Sequence, residues 1–172
     1  MPRSIDFSAL DLRDALDLAI LIEEEARERY TELAGRVGGR YVGDASDVFT
    51  RMAGNEAKHA EQLTARRREL FGDAPRRVSA TQFWQIEAPD QGDVRVFMSP
   101  RQAFEVALDA EKRAFAFYDA AAEKVADRSA RDLFLELRDE EQTHQAGIER
   151  LMQDLPAGPD LDEDDADEPA AQ

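Results

Sequence analysis

From Leu12 to about Val37 the apolar residues Leu12, Ala15, Leu16, Ala19, Ile22, Ala26, Tyr30 and Leu33 recur at steps of three and four, with charged residues between them. That spacing lines one face of an α-helix and leaves the opposite face to solvent, and Asp11 is placed to cap its start. Gly38 and Gly39 end the stretch, with a turn expected near Tyr41 in a loop running through Gly43. A second periodic run follows from about Ser46 to Leu70, with Phe49, Met52, Ala53, Ala60 and Leu63 on its apolar side and Gly72 beyond its end. Pro75, Pro89 and Gly92 then break the pattern between Asp73 and Ser99, which predicts an irregular crossover containing one short helix around Ala80 to Ile86. Ser99 and Pro100 have the chemistry of a cap and a first helical residue, so a third helix is expected from Pro100 to about Ala126. A fourth should run from about Arg128, after the cap Asp127, to Leu155, where Pro156 and Gly158 stop it.

The expected fold class is therefore all-α: two helix hairpins with short turns, joined by one long crossover, a connectivity known to close a four-helix bundle. The halves also resemble each other. Glu23-x-x-Ala26-x-x-x-Tyr30 in the first helix recurs as Glu111-x-x-Ala114-x-x-x-Tyr118 in the third, and Glu56-x-x-His59 in the second recurs as Glu141-x-x-His144 in the fourth. Internal duplication is the natural reading of that repeat.

Composition narrows the chemistry. A chain of 172 residues that is 42% hydrophobic and 35% charged suits one domain of long amphipathic helices, here 1–155. The absence of cysteine excludes disulfides, thiolate zinc sites, iron-sulfur clusters and a nucleophilic thiol, leaving His, Glu and Asp as the strong ligands. No aliphatic run approaches the length of a membrane span, the longest being Leu18 to Ile22, and the N-terminus lacks a secretory pattern, so a cytoplasmic protein is expected. The formal net charge is -16, which makes nucleic acid a poor partner. Asp160, Asp162, Glu163, Asp164, Asp165, Asp167 and Glu168 supply much of that charge in the segment 156–172, which has three prolines and almost nothing apolar. Such a segment reads as a solvated, disordered acidic tail.

The candidate chemistry lies in the repeat. Each of the two histidines follows a glutamate by three positions, which on a helix sets both side chains on one face about a turn apart. Glu23 and Glu56 lie 18 and 15 residues from the turn near Tyr41, and Glu111 and Glu141 lie 16 and 14 from Asp127. At ~1.5 Å of rise per residue these heights agree to about one turn, so antiparallel packing brings four glutamates and two histidines to one level. Four unpaired carboxylates in an apolar interior would be strongly destabilising, each desolvated charge costing on the order of several kcal/mol. Two divalent ions would balance them, and the N/O ligand set Glu23, Glu56, His59, Glu111, Glu141 and His144 suits iron or manganese, and zinc less distinctively. Calcium and magnesium favour all-oxygen shells and fit poorly.

A glutamate in the run Glu23-Glu24-Glu25 is ordinarily a solvated surface group; Glu23 stands out because it shares a stripe with Ala19, Ile22, Ala26 and Tyr30. His144 selects Glu141 from the run Asp139-Glu140-Glu141 in the same way. Tyr30 and Tyr118, each seven residues past a glutamate and on its face, read equally as phenols hydrogen-bonded to ligating carboxylates or as core tyrosines. Trp84 and Phe83 are expected to cover one end or side of the bundle and carry no assigned chemistry.

These motifs, one Glu-x-x-Ala-x-x-x-Tyr and one Glu-x-x-His per half, resemble the rubrerythrin and erythrin branch of the ferritin-like superfamily over Asp11 to Leu155. The run 24–30, Glu-Glu-Ala-Arg-Glu-Arg-Tyr, is similar to the first helix of that branch. The resemblance implies a ferritin-like fold in which Glu56 and Glu141 bridge two irons, while Glu23 with His59 and Glu111 with His144 complete the two ends. It also implies a homodimer and an external electron donor such as a rubredoxin or a reductase. Two departures matter. Rubrerythrins usually carry a rubredoxin domain with Cys-x-x-Cys motifs, which this cysteine-free sequence does not hold, and the additional third-helix glutamate of the family is replaced by Ala114, a turn after Glu111.

The function expected on this basis is a non-haem di-iron oxidoreductase that passes two electrons to hydrogen peroxide or dioxygen and is then reduced by its partner. The resemblance alone favours peroxide. The alternative is a ferroxidase that oxidises Fe(II) for storage or transfer, and the remaining reading is a metal-free structural bundle.

Overall fold

The computed structural model describes residues 6–37, 43–78, 86, 88–89 and 98–155. Among the described residues four α-helices carry the architecture, and each begins at a residue whose side chain can satisfy the free N–H groups of a first turn. Helix α1 (Leu12–Arg36) opens on a capping box: Asp14 N donates to Asp11 at 3.0 Å and Asp11 N donates to Asp14 at 3.3 Å. Helix α2 (Ala45–Phe71) starts with Asp47 N donating to Asp44 at 2.9 Å and stops at Gly72, whose φ of 60° is cheap only for glycine. A second capping box, Ser99 with Gln102, opens α3 (Pro100–Lys124), and Asp127 caps α4 (Arg128–Gln153) by accepting from Ala130 N at 2.8 Å. A 3-10 turn at Phe7–Ala9 precedes α1.

The helices expected from periodicity are all present, with ends displaced by one or two residues. Helix α3 stops at Lys124 rather than near Ala126, because Val125 is extended and its N–H closes the last turn onto Ala121. Helix α4 ends at Gln153 instead of Leu155. Pro156 and Gly158, the acidic tail 156–172, the turn near Tyr41, Phe83, Trp84 and all of the proposed helix at Ala80 to Ile86 except Ile86 lie outside the described residues. No helix among the described residues is long and apolar enough to cross a membrane.

Each hairpin is antiparallel. Ser46 Oγ donates to Ala34 O at 2.8 Å at one end of the first hairpin, and Arg67 meets Asp17 at the other. In the second, Arg101 donates to Met152 O and Leu155 O at 2.8 and 2.9 Å, while Arg138 meets Asp119 at 3.2 Å. The duplication is visible in three dimensions: α1 and α3 are both 25 residues long, and the spacings from N-cap to glutamate, glutamate to tyrosine and glutamate to C-cap valine are the same in each.

The core divides into two apolar clusters. One gathers Leu16, Ala19 and Ile22 of α1 with Tyr118 and Ala121 of α3 and Leu133 and Phe134 of α4. The other gathers Tyr30 and Leu33 with Phe49, Met52, Ala107 and Ile148. Glu23, Glu56, Glu111 and Glu141 are buried between the clusters.

Helix α1 is buried more completely than its single stripe predicts, since Asp17, Leu18 and Ile20 also have no exposed surface. The segment after α2 lies across this second face. Arg67 pairs with Asp17 and donates to Ala74 O at 2.9 Å, Arg77 N donates to Asp17 at 2.9 Å, Arg13 donates to Pro75 O, and Arg76 forms a two-point bridge to Glu24 at 2.8 and 2.9 Å. Val78 and Ile86 add apolar cover against the cluster around Leu16.

Candidate metal centre

Steps of seven and three along the helices bring the six singled-out residues together. Glu23 of α1 faces the Glu56-x-x-His59 turn of α2, and His59 Nδ1 lies 3.5 Å from Glu23 Oε2 and 3.3 Å from Glu56 Oε2. In the second hairpin His144 Nδ1 lies 3.2 Å from Glu111 Oε2 and 3.4 Å from Glu141 Oε2. Within each triad one ligand atom per residue falls inside a 4.8 Å sphere of mutual distances. The two histidine rings stack on each other, 4.6 Å between centroids and 4° from parallel, which brings the two triads face to face.

Burial is unequal. The four glutamates are at most 2% exposed, while the side chains of His59 and His144 keep 21% and 26% of their surface, so the imidazole edges form the solvent boundary of an otherwise enclosed layer. Glu56 Oε1 and Glu111 Oε1 are buried without a hydrogen-bond partner, and an orphaned buried acceptor costs ~1–3 kcal/mol. The donor set of four carboxylates and two imidazoles, with carboxylate oxygens left over for a cation, fits two divalent transition-metal ions.

Protonation follows from the same geometry. Burial pushes the Glu23 carboxyl up to about 8 and that of Glu141 to about 9, with Glu56 and Glu111 respectively adding like-charge repulsion. Burial opposes the charged form of each imidazole, but contacts with two carboxylates outweigh it and raise His59 to about 10 and His144 to about 11. Glu111 goes the other way: despite burial, His144 and Glu141 hydrogen-bond its carboxylate and lower it. Without metal, protons thus occupy the place of cations.

Tyr30 and Tyr118 are completely buried, one on each side of the glutamate layer. Tyr30 stacks on Phe49 at 6.1 Å and Tyr118 on Phe134 at 6.3 Å. Both phenylalanines stand seven residues before the glutamate of a Glu-x-x-His motif, so the repeat contains a third element whose spacing is readable in the sequence. Glu24 and Glu25 are less buried than Glu23, and Glu24 is engaged by Arg76.

An all-α bundle of two duplicated hairpins around paired glutamate and histidine triads defines the class of ferritin-like di-iron carboxylate proteins. The chain belongs to the rubrerythrin family, whose family model matches residues 14–152, with a further match over 102–172. No curated protein matches. An uncharacterized conserved protein from Magnetospirillum magnetotacticum MS-1 is 30% identical with a TM-score of 0.65, covering 87% of this chain and 98% of its own. A ferritin-like diiron-carboxylate protein from Thermotoga maritima (21% identity, TM-score 0.50, 84% and 96% coverage) shares the fold. So does the dodecameric thioferritin of Bacteroides fragilis (20%, 0.52, 83% and 84%).

Proposed function

We propose that the protein is a di-iron oxidoreductase that reduces hydrogen peroxide with electrons from an external donor such as a rubredoxin or a reductase. The observation that carries this reading is the pair of buried triads, Glu23-Glu56-His59 and Glu111-Glu141-His144, joined through stacked histidines. Two bound iron ions would supply a pair of electrons and Lewis acidity to the oxidant.

The chain's own residues do the rest. Glu23 with His59 and Glu111 with His144 would hold the two ends of the pair, and Glu56 and Glu141 would be the carboxylates shared between them. The apolar clusters on both sides exclude water, so the charge of four ionised glutamates would have to be balanced by bound cations rather than by solvent. The His59 and His144 edges leave a route for a small oxidant at the solvent boundary. Tyr30 and Tyr118, fully buried on either side of the glutamate layer, are the groups placed to orient the carboxylates from behind. The proposed assembly is a homodimer in the cytoplasm.

Anaerobic Fe(II)-loaded protein mixed separately with limiting peroxide and with dioxygen tests the reading. Oxidation much faster with peroxide, with iron retained, is expected. Faster oxidation by dioxygen with iron accumulating beyond two per chain would replace this reading with a ferroxidase.

A further inference from the structure

A cavity of about 380 Å³ opens between α2, α3 and α4, and its floor is Glu56, Glu111 and His144. Hydrogen peroxide needs little more space than a water molecule, whose share of liquid volume is ~30 Å³, so the cavity is roughly ten times too large for it. Its volume falls instead in the ~300–1,000 Å³ range of small-molecule sites. Met52, Phe104, Ile148 and Leu151 supply apolar wall. The exposed Arg51 and Arg150 also line it, and neither forms an ion pair with a described residue.

Gly147 lines the same cavity from the interior of α4. Glycine weakens a helix interior by ~0.5–1 kcal/mol relative to alanine. A Cβ at Gly147 would meet no atom within 4 Å, so packing does not demand glycine there, and the missing side chain keeps the wall recessed. The opening on the other side of the histidine pair, beside His59, is only about 120 Å³ and is lined by Glu136 and Glu140 as well as Arg66. Two glutamates line each opening, but the larger one has the room and two arginines, against a single arginine already engaged by Glu136, and so suits an anionic organic molecule better.

We propose that this cavity binds an organic hydroperoxide with an apolar body and an anionic head, the head at Arg51 and Arg150 and the peroxy end at Glu56, Glu111 and His144. The proposal rests on the peroxide-reducing reading above and adds organic hydroperoxides to hydrogen peroxide as substrates of the same centre. In the reaction ROOH takes two electrons from the external reductant and two protons, the O–O bond breaks, and ROH and water leave.

Calorimetric titration with decanoate, a redox-inert carboxylate of this shape, tests the site on metal-free and zinc-loaded protein. One decanoate per chain is expected, with binding weakened at least tenfold by Gly147→Leu and about tenfold by Arg51→Gln combined with Arg150→Gln. Decanoate that fails to bind, or binds undiminished to Gly147→Leu, overturns the proposal. Zinc stoichiometry, measured alongside, separates the two readings: two zinc ions without decanoate binding sink the cavity proposal alone, whereas decanoate binding without zinc sinks the metal centre. A hydroperoxide of decanoic acid should oxidise the di-ferrous protein faster than tert-butyl hydroperoxide does, and Gly147→Leu should abolish that preference. Equal rates in the parent protein overturn the substrate assignment.

Discussion

The imidazole rings of His59 and His144 lie 4.6 Å apart and within 4° of parallel, each turning Nδ1 toward the carboxylates of its own hairpin. The two candidate metal triads therefore face each other, each with one imidazole nitrogen beside its own carboxylates. Removing either histidine should cost one metal and leave the other. His59→Ala and His144→Ala are each expected to bind about one Fe(II) per chain in place of two, measured by metal analysis after anaerobic loading and desalting. Two retained ions in either variant would assign that imidazole to structure.

The metal-free protein should lose stability as pH rises. Glu23 and Glu141 have folded values of about 8 and 9, above the ordinary 4.5, so their contribution is fully present below 4.5 and lost on the way to pH 9. His59 and His144, raised to about 10 and 11 from 6.5, have the same sign, with a contribution fully present below 6.5 and lost as pH rises through those values. Calorimetry should show Tm falling between pH 6 and pH 9 without metal, with a shallower fall in Glu141→Gln. Added zinc should raise Tm more at pH 8 than at pH 6, because protons compete for the same atoms.

The Asp17–Arg67 pair should matter for stability and not for metal. Asp17 is wholly buried and also accepts from Arg77 N, so Arg67→Met leaves a carboxylate without its cation at an expected cost of ~3–5 kcal/mol. Urea unfolding of the metal-free variant measures the loss. Its metal stoichiometry should remain two.

Tyr118→Phe removes one hydroxyl from a fully buried ring and leaves its stacking on Phe134 intact. If the phenol orients a ligating carboxylate, metal affinity falls ~10–100-fold with two ions still bound at saturation. An unchanged affinity, read by competition with a chromophoric chelator, would return Tyr118 to the core.

The four helices were legible because every one repeats its apolar residues at helical spacing and three of them follow a readable cap, Asp11, Ser99-Pro100 or Asp127, whereas the Asp44 cap of α2 was not singled out. The meeting of Glu23, Glu56 and His59 with Glu111, Glu141 and His144 was legible because the motif occurs twice and hairpin geometry equalises their heights. The burial of Asp17, Leu18 and Ile20 was not, since it depends on a non-periodic segment, Ala74 to Val78, docking through arginines on a face that α1 alone would expose. The cavity behind Gly147 was equally hidden, because a void between three helices leaves no periodic trace in any of them.

Anaerobic titration of the metal-free protein with Fe(II), followed by metal analysis of the desalted protein, tests the central claim most directly. A plateau at two ions per chain is expected, and it should fall sharply when Glu56 and Glu141 are both changed to glutamine. Absence of stoichiometric binding, together with greater stability of that double variant, would contradict it and leave a metal-free structural bundle.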